Sequence, residues 1–92
     1  MRLRPTRAKA HFNLGISYVK LGKYQEAIQS FTQAIRLDPQ YAHSYYNRGV
    51  LQLEMGNKKL AVEDLEKAAQ YFLERKDVMG HRKTFDSLMK LI

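Results

Sequence analysis

Two pairs of glycines in this chain share one separation: Gly15 and Gly49 stand 34 residues apart, and so do Gly22 and Gly56. Laying residues 8–41 over residues 42–75 also aligns Ala8 with Ala42, Asn13 with Asn47, Ala27 with Ala61 and Ala34 with Ala68. Ile16/Val50, Ile28/Val62 and Phe31/Leu65 agree in character. A period of this length marks stacked supersecondary units, none of which buries its apolar face alone. Each unit reads as two helices. Leu14, Tyr18 and Leu21 follow Ala10 and His11 at helical spacing, and Gly22-Lys23 breaks the run. Ala27, Ile28, Phe31, Ala34 and Ile35 form a second stripe, stopped at Asp38-Pro39 because proline disfavours helical φ/ψ in the residue before it.

The second unit repeats the plan with a different ending. Tyr45, Tyr46, Gly49, Val50, Leu53 and Met55 make one helix, and Gly56-Asn57 breaks it. Leu60, Ala61, Val62, Leu65, Ala68, Ala69, Phe72 and Leu73 make the next. Leu73 stands where unit one has Pro39, so this fourth helix is expected to run an extra turn, to about Glu74. Asp77 suits the N-cap of a fifth helix. Its stripe is read as Val78, His81, Arg82, Phe85, Leu88, Met89 and Ile92. No strand-like alternation occurs, so the fold class is all-α with five helices. Gly15 and Ala27 let the helices of unit one approach, as Gly49, Ala61 and Ala68 do in unit two, with Tyr18, Tyr24 and Phe31 filling the remaining space.

Leu14, Gly15, Tyr18, Ala27, Phe31 and Pro39 stand at the offsets of the tetratricopeptide repeat (TPR) pattern, with His11 in place of its tryptophan. Unit one therefore resembles a TPR, and unit two resembles one more loosely through Tyr45, Gly49, Ala61, Ala68 and the spacing. The resemblance divides the chain into a basic extension (1–7), repeat one (8–41), repeat two (42–75) and a C-terminal capping helix (77–92). It implies an α-solenoid of antiparallel helix pairs, a right-handed superhelix whose concave wall is lined by the first helix of each pair. Helical spacing puts Lys9, Phe12, Asn13, Ile16 and Lys20 on that wall in unit one. Unit two contributes His43, Tyr46, Asn47, Val50, Leu53 and Glu54. Phe12, Ile16, Tyr46 and Val50 fall off the stripe read as internal packing, which leaves them as candidate contacts for a partner. In TPR co-chaperones a clamp of Lys and Asn grips a C-terminal carboxylate. Asn47 matches a clamp position, whereas Phe12 and Ile16 stand where the clamp has lysine and asparagine.

The resemblance implies a non-catalytic interaction module that binds a peptide segment of another protein. The residues point the same way. The chain has no cysteine, and His11, His43 and His81 lack metal-ligand spacing, so neither metal nor cofactor is expected. Glu63, Asp64 and Glu66, followed by Lys67, read as a solvated face rather than a catalytic pair. No phosphate-cradling glycine loop is present. Two further partners are weighed. Residues 1–50 carry eight basic and two acidic side chains, a bias that attracts anionic polymers through Arg2, Arg4, Arg7, Lys9, Lys20 and Lys23. Leu88, Met89, Leu91 and Ile92 offer apolar surface for self-association, a hazard of solenoid ends. No apolar run suits a membrane span, and no secretory signal is apparent, so a cytoplasmic location is expected.

Overall fold

The computed structural model describes residues 5–91, and every element among them is a helix or a turn. The helices are α1 (Pro5–Lys20), α2 (Tyr24–Leu37), α3 (Ala42–Glu54), α4 (Lys58–Glu74) and α5 (Val78–Met89). Pro5 opens α1, where its fixed φ suits the first helical position and its missing N–H costs nothing. Arg2, Arg4 and Ile92 lie outside the described residues.

Each helix packs mainly on its neighbour in sequence: α1 on α2, α2 on α3, α3 on α4, α4 on α5. The result is a slab of 42 × 32 × 18 Å. The short dimension is about two helix diameters, so α1, α3 and α5 form one layer and α2 and α4 the other. Two apolar clusters fill the space between. Ala27, Phe31 and Leu51 form one, and Ala42, Tyr45, Ala68 and Phe72 the other.

Glycines set the closest approaches. A Cβ added to Gly15 would lie 2.6 Å from the Phe31 ring, and one on Gly80 would lie 2.5 Å from the Phe72 ring. Alanine at either position forces a ring out of place, an overpacking that costs about 1–3 kcal/mol. Gly49 meets Asp64, Leu65 and the Ala61 carbonyl in the same way. Asp77 caps α5 as its position suggests, accepting a hydrogen bond from the Gly80 N–H at 2.9 Å. The fourth helix does extend to Glu74.

Four details depart from the sequence reading. Leu14 and Leu21 are 44% and 69% exposed, so they are not the packing stripe of α1. The Phe31 ring packs against Gly15, and Ala8, Phe12, Gly15 and Val19 turn inward. Phe12 and Ile16 are thus not left over after the core is filled: both pack on the Ala27–Phe31–Leu51 cluster, and Tyr46 packs on the second cluster. Tyr24, read as core filler, is exposed at the start of α2. Asp64 is no solvated carboxylate. It is buried and accepts two 2.8 Å hydrogen bonds from Arg48, from Nε and Nη2, while Glu63 and Glu66 stay exposed.

The stripe of α5 also differs. Thr84 is fully buried and Gly80 seats Phe72, whereas Val78, Phe85 and Met89 face outward. The Phe72 ring sits against the side carrying Gly80, and Thr84 lies one turn further along it. The Thr84 hydroxyl donates to the Gly80 carbonyl at 2.8 Å, so its burial leaves no polar group unpaired.

Candidate functional site

The inner layer of α1, α3 and α5 presents one continuous wall. At the N-terminal end of α3 aromatic rings bridge the layers. Phe12 lies 5.7 Å from Phe31, 5.3 Å from Tyr41 and 6.2 Å from His43, between ring centroids. His43 in turn meets Phe72 edge-on at 4.9 Å. His43 is exposed, yet partial desolvation beside Phe12 and Phe72 still holds its imidazole below its ordinary pKa. Lys83 and Arg75 push the same way, and Asp77 opposes them.

Two hollows flank α3. The first, about 220 Å³, lies between α1 and α3 and is lined by Val19, Tyr24, Asn47, Val50, Leu51 and Glu54. The second, about 490 Å³ and more open, lies between α3 and α5, from His43 to Met79, Lys83 and Asp86. Between them Tyr46 stands half-buried on the wall, with the Lys83 ammonium 5.1 Å from its ring centroid. Asn47 donates one amide hydrogen to the His43 carbonyl at 2.8 Å. Its Oδ1 and second N–H are left over, which fixes the side chain while keeping an acceptor and a donor.

Of the residues read from sequence, Asn47, Val50 and Glu54 line one hollow and His43 the other, with Tyr46 between. Phe12 and Ile16 pack on the core and line neither hollow. Lys9, Asn13 and Lys20 are exposed on α1, outside both hollows. Sequence reasoning missed Val19 and Tyr24, and it missed the contribution of α5. A shift of 34 residues cannot find Met79 and Lys83, because α5 starts 36 residues after α3. Shifting by 36 places Lys83 beneath Asn47, and that was the available signal.

Comparison with known proteins agrees with this architecture. A TPR repeat model matches residues 17–56, and a tetratricopeptide repeat model matches residues 42–72. The chain is a tetratricopeptide repeat protein. Among curated proteins, none matches it in sequence. Solved structures share the fold. A TPR domain protein from Salinibacter ruber superposes with a TM-score of 0.85 at 18% identity, covering 91% of this chain and 93% of that one. The second TPR of Spaghetti (RPAP3), solved with the HSP90 peptide SRMEEVD, gives 0.68 at 20% identity, over 96% of this chain and 94% of that one. MamA gives 0.67 at 24% identity, and this chain spans 60% of its length. The five helices of this TPR protein are thus an α-solenoid of a kind that serves protein–protein interaction. Among the described residues no helix is long and apolar enough to cross a membrane.

Proposed function

We propose that this TPR protein holds an extended peptide segment of a partner protein along the wall formed by α1, α3 and α5. The observation that carries the reading is the pair of hollows on either side of Asn47, a polar residue whose amide is pinned with hydrogen-bonding capacity to spare. An extended strand offers a free N–H and C=O at each residue, and an amide side chain answers both. Val19, Val50 and Leu51 give the first hollow an apolar base for one side chain of the peptide. Met79 gives the second an apolar edge, and Arg82, Lys83, Asp77 and Asp86 give it charges of both signs, suited to a polar side chain. The Spaghetti TPR domain carries a peptide on this fold, which supports the reading as analogy of architecture. The apolar base of the first hollow favours a peptide with internal apolar residues over a bare C-terminal carboxylate.

The test is selection of binders from a displayed library of random peptides, followed by NMR titration of the labelled chain. Amide shifts are expected along the inner sides of α1, α3 and α5, centred on Asn47. Asn47→Ala and Val50→Lys are expected to weaken the selected peptides by about tenfold each while helicity by circular dichroism is unchanged. Shifts confined to α2 and α4 would overturn the assignment.

A further inference from the structure

α5 keeps an apolar stripe that nothing among the described residues covers. Val78 is 73% exposed, Phe85 50% and Met89 51%, and they recur on one side of the helix. The opposite side, with Gly80 and Thr84, is used up against α4. Arg82 and Asp86 follow along one flank of the stripe, both exposed. Among the described residues neither belongs to an ion pair, the two pairs being Arg48–Asp64 and Arg75–Asp38.

We propose that this stripe docks on the same stripe of a second copy of the chain, the two α5 helices antiparallel about a two-fold axis level with residue 84. The charge pattern selects this occupant. A two-fold axis perpendicular to both helices brings like flanks together, so Arg82 of each copy stands level with Asp86 of the other. Two charges on each copy, unpaired in the single chain, thereby form two reciprocal ion pairs. In the same register Val78 falls within one residue of Met89 across the interface. The two Phe85 rings lie on either side of the axis, offset by about 3 Å along the helix. The contact is one helix pair, smaller than a standard interface of about 1,600 Å², so the dimer is weak and depends on concentration. It leaves Asn47 and the first hollow open, but Arg82 and Asp86 also line the second hollow, so the dimer shares that rim with the peptide site, and sedimentation without peptide reads the dimer alone.

Sedimentation equilibrium of the full chain tests the proposal, over about 10 μM to 1 mM. A monomer–dimer equilibrium is expected. Phe85→Asp is expected to weaken it by at least about tenfold. Arg82→Asp and Asp86→Arg each place like charges opposite one another, and each is expected to weaken it several-fold. The double exchange R82D/D86R restores opposite charges and is expected to return the dimer to its original strength. A chain that stays monomeric to 1 mM overturns the proposal. So does a dimer indifferent to Phe85→Asp, or a double exchange no stronger than its weaker parent. Circular dichroism checks that each variant is folded. If Phe85→Asp unfolds, the charge series decides alone, since Arg82 and Asp86 are exposed and make no ion pair within the chain.

Discussion

Arg48 reaches Asp64 because its neighbour has no side chain to hold α3 and α4 apart. A Cβ on Gly49 would sit 3.1 Å from that of Asp64. The guanidinium forks onto the carboxylate and also donates to Thr32 Oγ1 at 3.0 Å, so a single side chain ties α2, α3 and α4 together. The Asp64 hydrogen bonds raise the Arg48 pKa, outweighing the opposing effect of burial. Removing one partner leaves the other charge uncompensated. Asp64→Leu is therefore expected to cost about 2–4 kcal/mol in urea unfolding. The double variant R48M/D64L removes both charges and is expected to recover most of that loss. Equal losses in single and double variants would mean that the pair contributes little and that shape alone matters. Sequence could not show this pair: Asp64 sits between other acids, and only the depth of the α3–α4 contact distinguishes it from exposed Glu63.

Helix ends obey a local grammar that is visible in the chain. At the end of α1 the Lys23 N–H bonds the Tyr18 carbonyl and the Gly22 N–H bonds that of Val19, with Gly22 at φ 76°. Asn57 and Gly56 repeat these bonds to Gln52 and Leu53 after α3, with Gly56 at φ 87°. Both are Schellman motifs, in which glycine adopts the left-handed conformation without a Cβ penalty. The end of α4 has the same bonds, from Asp77 to Phe72 and from Lys76 to Leu73, but Lys76 occupies the left-handed position at φ 60°. Lysine there is strained. Lys76→Gly is expected to stabilise the fold by about 0.5 kcal/mol, the relief of strain exceeding the added freedom of the unfolded chain. That corresponds to a rise of roughly 2–4 °C in Tm, read by calorimetry. A lower Tm would show that the lysine side chain contributes more than its backbone costs. The breaks at Gly22, Gly56 and Pro39 were legible because each depends on nearest neighbours. The buried sides of α1 and α5 were not. Phe12, Leu14, Ile16, Val19 and Leu21 surround α1, and periodicity alone cannot rank them.

For the whole molecule the decisive element is α5, which stands beside α3 as α3 stands beside α1. It covers Phe72, which is 3% exposed, and completes the wall around His43. A chain ended after Lys76 would uncover that ring and the adjoining cluster, losing about 2–3 kcal/mol from the ring alone. Its Tm is expected to fall by roughly 10–20 °C. A fall of only a few degrees would show that two helix pairs hold together without the fifth. The groove was legible in part for the same reason. Spacing within a repeat predicted Asn47, Val50 and Glu54, but the wall needs Lys83 and Met79 from a helix out of phase with the repeat. The amino-acid order by itself determined five helices, their breaks and the pairing of neighbours, because hydrogen bonding and turn conformation act within a few residues. Only the tertiary structure decided which side of α1 and of α5 is buried. That choice rests on where the rings of Phe31 and Phe72 find a glycine on another helix, a steric fit between residues distant in the chain.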